Sequence, residues 1–442
     1  MIEALTWPNS YAFYLAPLLL AWLCYAVTRW RAQARSRARR DAAYEAGLSE
    51  PASLHPVIDA ARCFGCGACI HVCPEGQVLG LIDGKAALVE PAACIGHGAC
   101  KAACPTDAIS LVFGSAQRGV DIPRVSPSFE TNVPGVFIAG ELGGMGLIAN
   151  AIEQGRQALD SISRLDGLGQ PGQYDVVIVG AGPAGFAASL AAKERSLRYL
   201  TLEQDSFGGS VAHYPRNKLI TTRPVRLPFH DRKGKFRKFR HVRKERLLQF
   251  WHDVARQSQL AIHYGKRVEQ VLPLEQGFEV RTAERPYRTR AVLLATGRRG
   301  TPRKLGVPGE NQTKVVYSLV DPAQYRGLRV LVVGGGDSAL EAAVALARLG
   351  NCEVTLCHRG PAFTRALPRS RARLEEVSRG GRVAVLLDAE IRAIRPDSVD
   401  ISLSGTLRRL QNDAVIICAG GLVPTTFLKR IGIEVETKYG VA

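Results

Sequence analysis

Seven of the chain's eleven cysteines fall between Cys63 and Cys104. Residues 63–74 read CFGCGACIHVCP, the frame C-x2-C-x2-C-x3-C-P. Residues 94–105 read CIGHGACKAACP, the same frame with His97 where the second cysteine belongs. Thiolates two and three residues apart converge on metal, and a disulfide framework has no need of such a repeat. Zinc is the plainer alternative, but zinc knuckles do not repeat this frame. Cys24, Cys352, Cys357 and Cys418 are scattered in apolar runs and read as inert core or lipid-facing thiols.

A second chemistry is written in glycines. Residues 174–179 (YDVVIV) read as a buried parallel strand that runs into GAGPAG, with Gly180, Gly182 and Gly185. A helix to about Lys193 and a strand ending at Glu203 follow. This is the dinucleotide fingerprint: a tight turn, close approach of backbone to pyrophosphate, and an acid for a ribose hydroxyl. Residues 329–333 (RVLVV) lead into GGGDSALEAA, with Gly334, Gly336 and Ala339 in the fingerprint positions. The next strand ends in His358 and Arg359, with no acid there. Arginine at that place accommodates a 2′-phosphate, which favours NADP over NAD; His358 and Arg365 are the assisting candidates, and ordinary surface charge is the competing reading.

The elements that must position these groups follow. Residues 56–112 resemble bacterial two-cluster ferredoxins over their whole length. In such proteins the fourth cysteine of each run crosses to the other cluster. The resemblance therefore implies one 4Fe-4S cluster on Cys63, Cys66, Cys69 and Cys104, and a second on Cys94, Cys100 and Cys73 with His97 as the candidate fourth ligand. Imidazole in place of thiolate raises a cluster's potential; a three-iron cluster, or a solvated His97, are the alternatives.

From about residue 120 onward the chain resembles the two-dinucleotide-binding flavoproteins, thioredoxin reductase and its ferredoxin–NADP reductase relatives. The carriers of that resemblance are the two fingerprints, VLLATGRRGTP with Thr296 and Gly297, and VIICAGGLVP. The family binds FAD at the first fingerprint and the nicotinamide cofactor at the second. Its closing motif, which contacts FAD, stands here before the first fingerprint, in TNVPGVFIAGELGGMGLIANAIEQGRQA, with Gly140 and Glu141 at the family's Gly-Asp. A circular permutation is implied, closed by pairing the chain's last residues with the region after residue 115. The family's C-x2-C is absent from KVVYSLVDPAQYRG.

Residues 11–28 carry no charge and are followed by RAQARSRARR. Such a run just reaches across a hydrocarbon core of about 30 Å, and the basic flank sets a cytoplasmic orientation. A cleaved signal peptide is disfavoured by Glu3 and the lack of Lys or Arg before the run. The expectation is a single-pass protein of the inner (cytoplasmic) membrane with its catalytic domains in the cytoplasm. The net charge of +18 and a basic insert over residues 215–251 suggest lipid headgroups or an acidic partner; no nucleic-acid motif is present.

The expected fold class is α/β: two Rossmann-like domains, a small α+β ferredoxin-like domain and one N-terminal transmembrane helix. Expected divisions are 1–40 anchor and basic flank, 41–55 linker, 56–115 ferredoxin-like domain, 116–165 displaced FAD segment, 172–301 FAD domain, 302–421 NAD(P) domain and 422–442 return to the FAD domain. The implied activity is electron passage between NAD(P)H and a one-electron acceptor, a redox partner protein or quinone, through FAD and two 4Fe-4S clusters, the second with His97 as its candidate fourth ligand. A homodimer is compatible with this. No catalytic acid or base stands out. A flavin-dependent disulfide reductase of a small thiol and a redox sensor without turnover are the rivals.

Overall fold

The computed structural model describes residues 7–51, 54–115, 119–144, 146–214, 216, 218–221, 227, 241–298, 301–422 and 424–440. They form two compact units, residues 1–118 with 440–442, and residues 119–439.

In the first unit the strand His55–Ile58 pairs antiparallel with Ile109–Val112, and Leu79–Ile82 pairs with Lys85–Leu88. Two short helices, Ala68–His71 and Ala99–Ala102, each begin after a left-handed glycine, Gly67 (φ 79°) and Gly98 (φ 76°). The repeat in the cysteine frame is thus a repeat in backbone. A long helix, Trp7–Glu45, precedes this body and packs on it. Ala26, Arg29, Gln33, Ser36, Arg40 and Ala43 recur every three or four residues and are among its less exposed positions, which defines one helical face. Gln33 Oε1 accepts from the Gly84 N–H at 3.1 Å, and Arg37 pairs with Asp83.

This corrects the expected membrane anchor. No helix among the described residues is long and apolar enough to cross a membrane. The basic stretch expected to set the orientation in a membrane instead sends Gln33 and Arg37 to the hairpin at residues 79–88. The inner-membrane localisation falls with the anchor. The helix also runs on to Glu45, through the boundary expected at residue 40.

The two largest sheets lie in the second unit. One has seven strands in the order Ile262–His263, Tyr199–Leu202, Tyr174–Val179, Pro286–Leu294, Phe278–Thr282 and Val268–Pro273, with Val136–Ile138 pairing parallel to Pro286–Leu294 from off this path. The Tyr174–Val179 strand is buried at five of six positions, which a parallel strand covered on both faces demands. Helices Pro183–Glu194 and Ile148–Ile162 cover one side and cross where Gly155 meets the Ala184 carbonyl. The other sheet is parallel, in the order Val315–Val316, Ala414–Ile417, Arg329–Val333, Glu353–Cys357, Val383–Leu386, with helix Asp337–Ala347 packed on it. The strand Val435–Lys438 pairs antiparallel with Val120–Pro123. Most of the basic insert, including Phe236 and Phe239, lies outside the described residues.

Candidate functional site

Each glycine turn lies at the carboxyl end of a strand with parallel neighbours on both sides, where backbone N–H groups at a helix start face a ligand. At the first, Pro183 opens the helix after Gly182. Gly180 is left-handed (φ 106°), and a Cβ on Gly185 would stand 1.8 Å from the Gly180 carbonyl oxygen, so only glycine lets helix and turn approach this closely. Glu203 is buried, its Oε2 accepting from the Ala181 N–H at 2.7 Å and its Oε1 from the Asp205 N–H at 2.9 Å. The acid therefore ties the end of its strand to the turn. Gly140 donates its N–H to Gln154 Oε1 at 2.8 Å, which fixes the displaced segment against its own helix.

At the second turn, Gly336 forms a parallel bridge with Arg365, bringing that arginine to the helix start. His358 stacks on Phe363 with ring centroids 5.3 Å apart, and its Nε2 lies 3.1 Å from the Ala362 carbonyl oxygen. Burial first, and then the charges of Arg359 and Arg365, hold this imidazole below its ordinary range. A neutral ring leaves Arg359 and Arg365 as the cations at the strand end.

Gly140, Glu141, Gly180, Gly182, Glu203, Thr296, Gly297, Gly334, Gly336, His358, Arg359 and Arg365 all line one cleft of about 2230 Å³. Gly185 and Ala339 lie beneath it as packing positions. The cleft is long enough to contain both turns, which suits two dinucleotides meeting end to end. Sequence reasoning missed Lys218 and Glu341, which pair across it at 2.6 Å, and Lys266 and Arg267 beside Glu203. Lys218 and Glu341 are 123 positions apart and have no local signature.

In the first unit Cys63 and Cys69 are buried, Cys66 is exposed, and Cys104 packs against the cluster containing Cys63, Cys69 and Cys100. Cys73 lines a small cavity together with Cys94, His97 and Cys100, so a cysteine of the first run joins the second run. Burial, then the charges of Cys63, Cys66 and Cys100, push the Cys69 thiol up to about 11. Burial chiefly, with the charges of Cys100 and Cys73, pushes Cys94 up to about 11. Thiolates crowded in this way need a cation to coexist, and iron supplies one. Backbone N–H groups are already aimed at sulfur: Gly65 and Ala86 donate to Cys63 Sγ at 3.4 Å, and Ala108 to Cys104 Sγ at 3.3 Å. Among the described residues no three His, Cys, Asp or Glu close on a single-ion site, and a cluster with one thiolate per iron asks for a wider ring. The donor set fits iron–sulfur clusters.

A family model for pyridine nucleotide-disulphide oxidoreductases matches residues 177–441, and one for 4Fe-4S dicluster domains matches residues 55–105. The ferredoxin–NADP reductase of Saccharopolyspora erythraea is 32% identical over 279 residues, 61% of this chain and 79% of that protein. The bacilliredoxin reductase of Bacillus subtilis is 26% identical over 271 residues, 61% of this chain and 83% of that protein. A solved bacillithiol disulfide reductase from Bacillus cereus shares the fold, with a TM-score of 0.55 at 22% identity over 60% of this chain and 83% of that one. The chain belongs to the pyridine nucleotide-disulphide oxidoreductase family and is an FAD-dependent NAD(P)H oxidoreductase with a 4Fe-4S dicluster domain on the same polypeptide.

Proposed function

We propose that this oxidoreductase exchanges electrons between NAD(P)H and a one-electron redox partner protein, with the cysteine-rich unit as the route between them. Bound FAD converts a hydride pair into single electrons, and 4Fe-4S clusters take those one at a time. The protein's part is to hold and orient. Gly180, Gly182 and Gly185 let the first turn approach the FAD pyrophosphate, and Glu203 rigidifies that turn while facing the ribose. Gly140, Glu141, Thr296 and Gly297 line the flavin end of the cleft. Gly334 and Gly336, with Ala339 packed beneath, cradle the nicotinamide cofactor's pyrophosphate. Arg359 and Arg365 meet a 2′-phosphate, with neutral His358 buttressing the loop. Cys63, Cys66, Cys69 and Cys104 hold one cluster; Cys73, Cys94, Cys100 and His97 hold the other.

The observation that carries this reading is Cys73 lining one cavity with Cys94, His97 and Cys100, since a crossed ligand is the mark of a paired-cluster domain. The disulfide-reductase reading has less support. The described thiols lining the cleft are Cys357 and Cys418, and burial pushes Cys357 up to about 12, leaving little thiolate to attack a disulfide. Anaerobic titration with NADPH and with NADH, followed by flavin absorbance and low-temperature EPR, tests the proposal. Flavin bleaching followed by two cluster signals is expected, with His97→Cys or His97→Ala altering one signal alone. Bleaching with silent iron would sink the proposal and favour the disulfide reductase.

A further inference from the structure

The two halves of the cysteine-rich unit are unequal at the surface. Positions 31 apart correspond, so Phe64 answers to Ile95 and Cys66 to His97. Phe64 is 72% exposed and Cys66 is exposed, whereas Ile95 and His97 are half-buried. A phenyl ring left this far in water covers no core of its own unit, and exposed aromatics of this kind are what protein interfaces are built on.

Charge is sorted between the halves as well. Arg62 is exposed immediately before Cys63. Lys85 Nζ donates to the Cys63 carbonyl at 2.6 Å, and Arg29 Nη1 of the long helix reaches the Gly65 carbonyl at 3.5 Å. Of the acids near this edge, Asp83 pairs with Arg37 and Asp59 accepts from the Ala61 N–H at 2.9 Å, while Asp107 lies on the Cys104 side. Glu75 belongs to the other half, where its charge acts on Cys94.

We propose that the Phe64–Cys66 edge, ringed by Arg29, Arg62 and Lys85, is the docking surface for an acidic one-electron carrier protein. The proposal rests on the reading that electrons pass through the cysteine-held sites, and it adds which site faces the partner and what charge that partner bears. Basic side chains around an apolar centre steer an acidic partner and fix its orientation, while the aromatic ring supplies the buried anchor. Cys66 is the ligand nearest solvent, so a partner seated on Phe64 comes closest to the Cys63, Cys66, Cys69 and Cys104 set.

The test measures binding of the oxidised, FAD- and iron-loaded full chain to flavodoxin, an acidic carrier, and to cytochrome c, a basic one, by calorimetry at low salt and at ~0.3 M salt. Flavodoxin should bind, cytochrome c should not, and the flavodoxin affinity should fall with salt. Phe64→Ala and Arg62→Glu should each weaken flavodoxin binding roughly tenfold, and Arg62→Lys should retain it. Iron content and flavin reduction by NADPH should stay unchanged in all three. Equal binding of both carriers, or unaltered affinity in Phe64→Ala and Arg62→Glu, overturns the proposal. Failure of NADPH to reduce iron in the unsubstituted chain would instead overturn the proposed function, since the binding measurement needs no turnover.

Discussion

His358 illustrates how surroundings decide what a residue contributes. Its ring lies so close to Gly335 that a Cβ there would come within 2.2 Å of it. Burial, ahead of the charges of Arg359 and Arg365, depresses its protonation, while the Ala362 carbonyl and Asp388 act in the opposite sense. An unfolded histidine titrates near ~6.5. Below that value the unfolded chain binds a proton that the folded chain refuses, so stability is greatest above ~6.5 and falls as pH drops toward the folded pKa. Melting temperatures of cofactor-free protein between pH ~5 and ~8 should decline on the acid side, and His358→Gln should remove that portion of the decline. Glu203 teaches a similar lesson: its place at the strand end is written in the sequence, but its bonds to the Ala181 and Asp205 N–H groups belong to the folded turn.

Among the elements, helices Ile148–Ile162 and Pro183–Glu194 cross in close backbone contact. A Cβ on Gly155 would stand 2.1 Å from the Ala184 carbonyl oxygen. Gly155→Ala should therefore force the helices apart and destabilise the second unit by about 1–3 kcal/mol. Gly380→Ala, whose Cβ would meet nothing nearer than 3.6 Å, should be neutral or slightly stabilising; thermal melts of both variants check this. Local signals made several of these elements legible. The apolar runs at residues 174–179 and 329–333, each ending in a glycine turn, carry their own geometry, and so do the two cysteine frames. What the sequence could not tell is where the basic half of the first helix goes: hydropathy and charge suggested a membrane flank, whereas Gln33 and Arg37 reach the Asp83–Gly84 turn. The Gln33–Gly84 and Lys218–Glu341 contacts join residues 51 and 123 positions apart, which no periodicity encodes.

For the molecule as a whole, the division at residue 118 separates the cysteine sets from the nucleotide cleft. A fragment comprising residues 119–442 should retain FAD and accept hydride from NADPH at a rate within about twofold of the full chain, yet reduce one-electron carriers at least tenfold more slowly. Stopped-flow bleaching and carrier reduction on the same preparation check both halves of that expectation. Two long-range strand pairings in the second unit have a further consequence during biosynthesis. Val136 pairs with Val292, 156 positions later, and Pro123 pairs with Val435, 312 positions later. At about 5–20 residues per second, a ribosome leaves the apolar Val136–Ile138 strand waiting roughly 8–30 s for its neighbour, and the Val120–Pro123 strand roughly twice as long. The cysteine-rich portion, with both of its runs emerged by residue 105, can take up metal in that interval. The apolar Val136–Ile138 strand therefore stays without its Pro286–Leu294 neighbour until well after the cysteine-rich portion has been made.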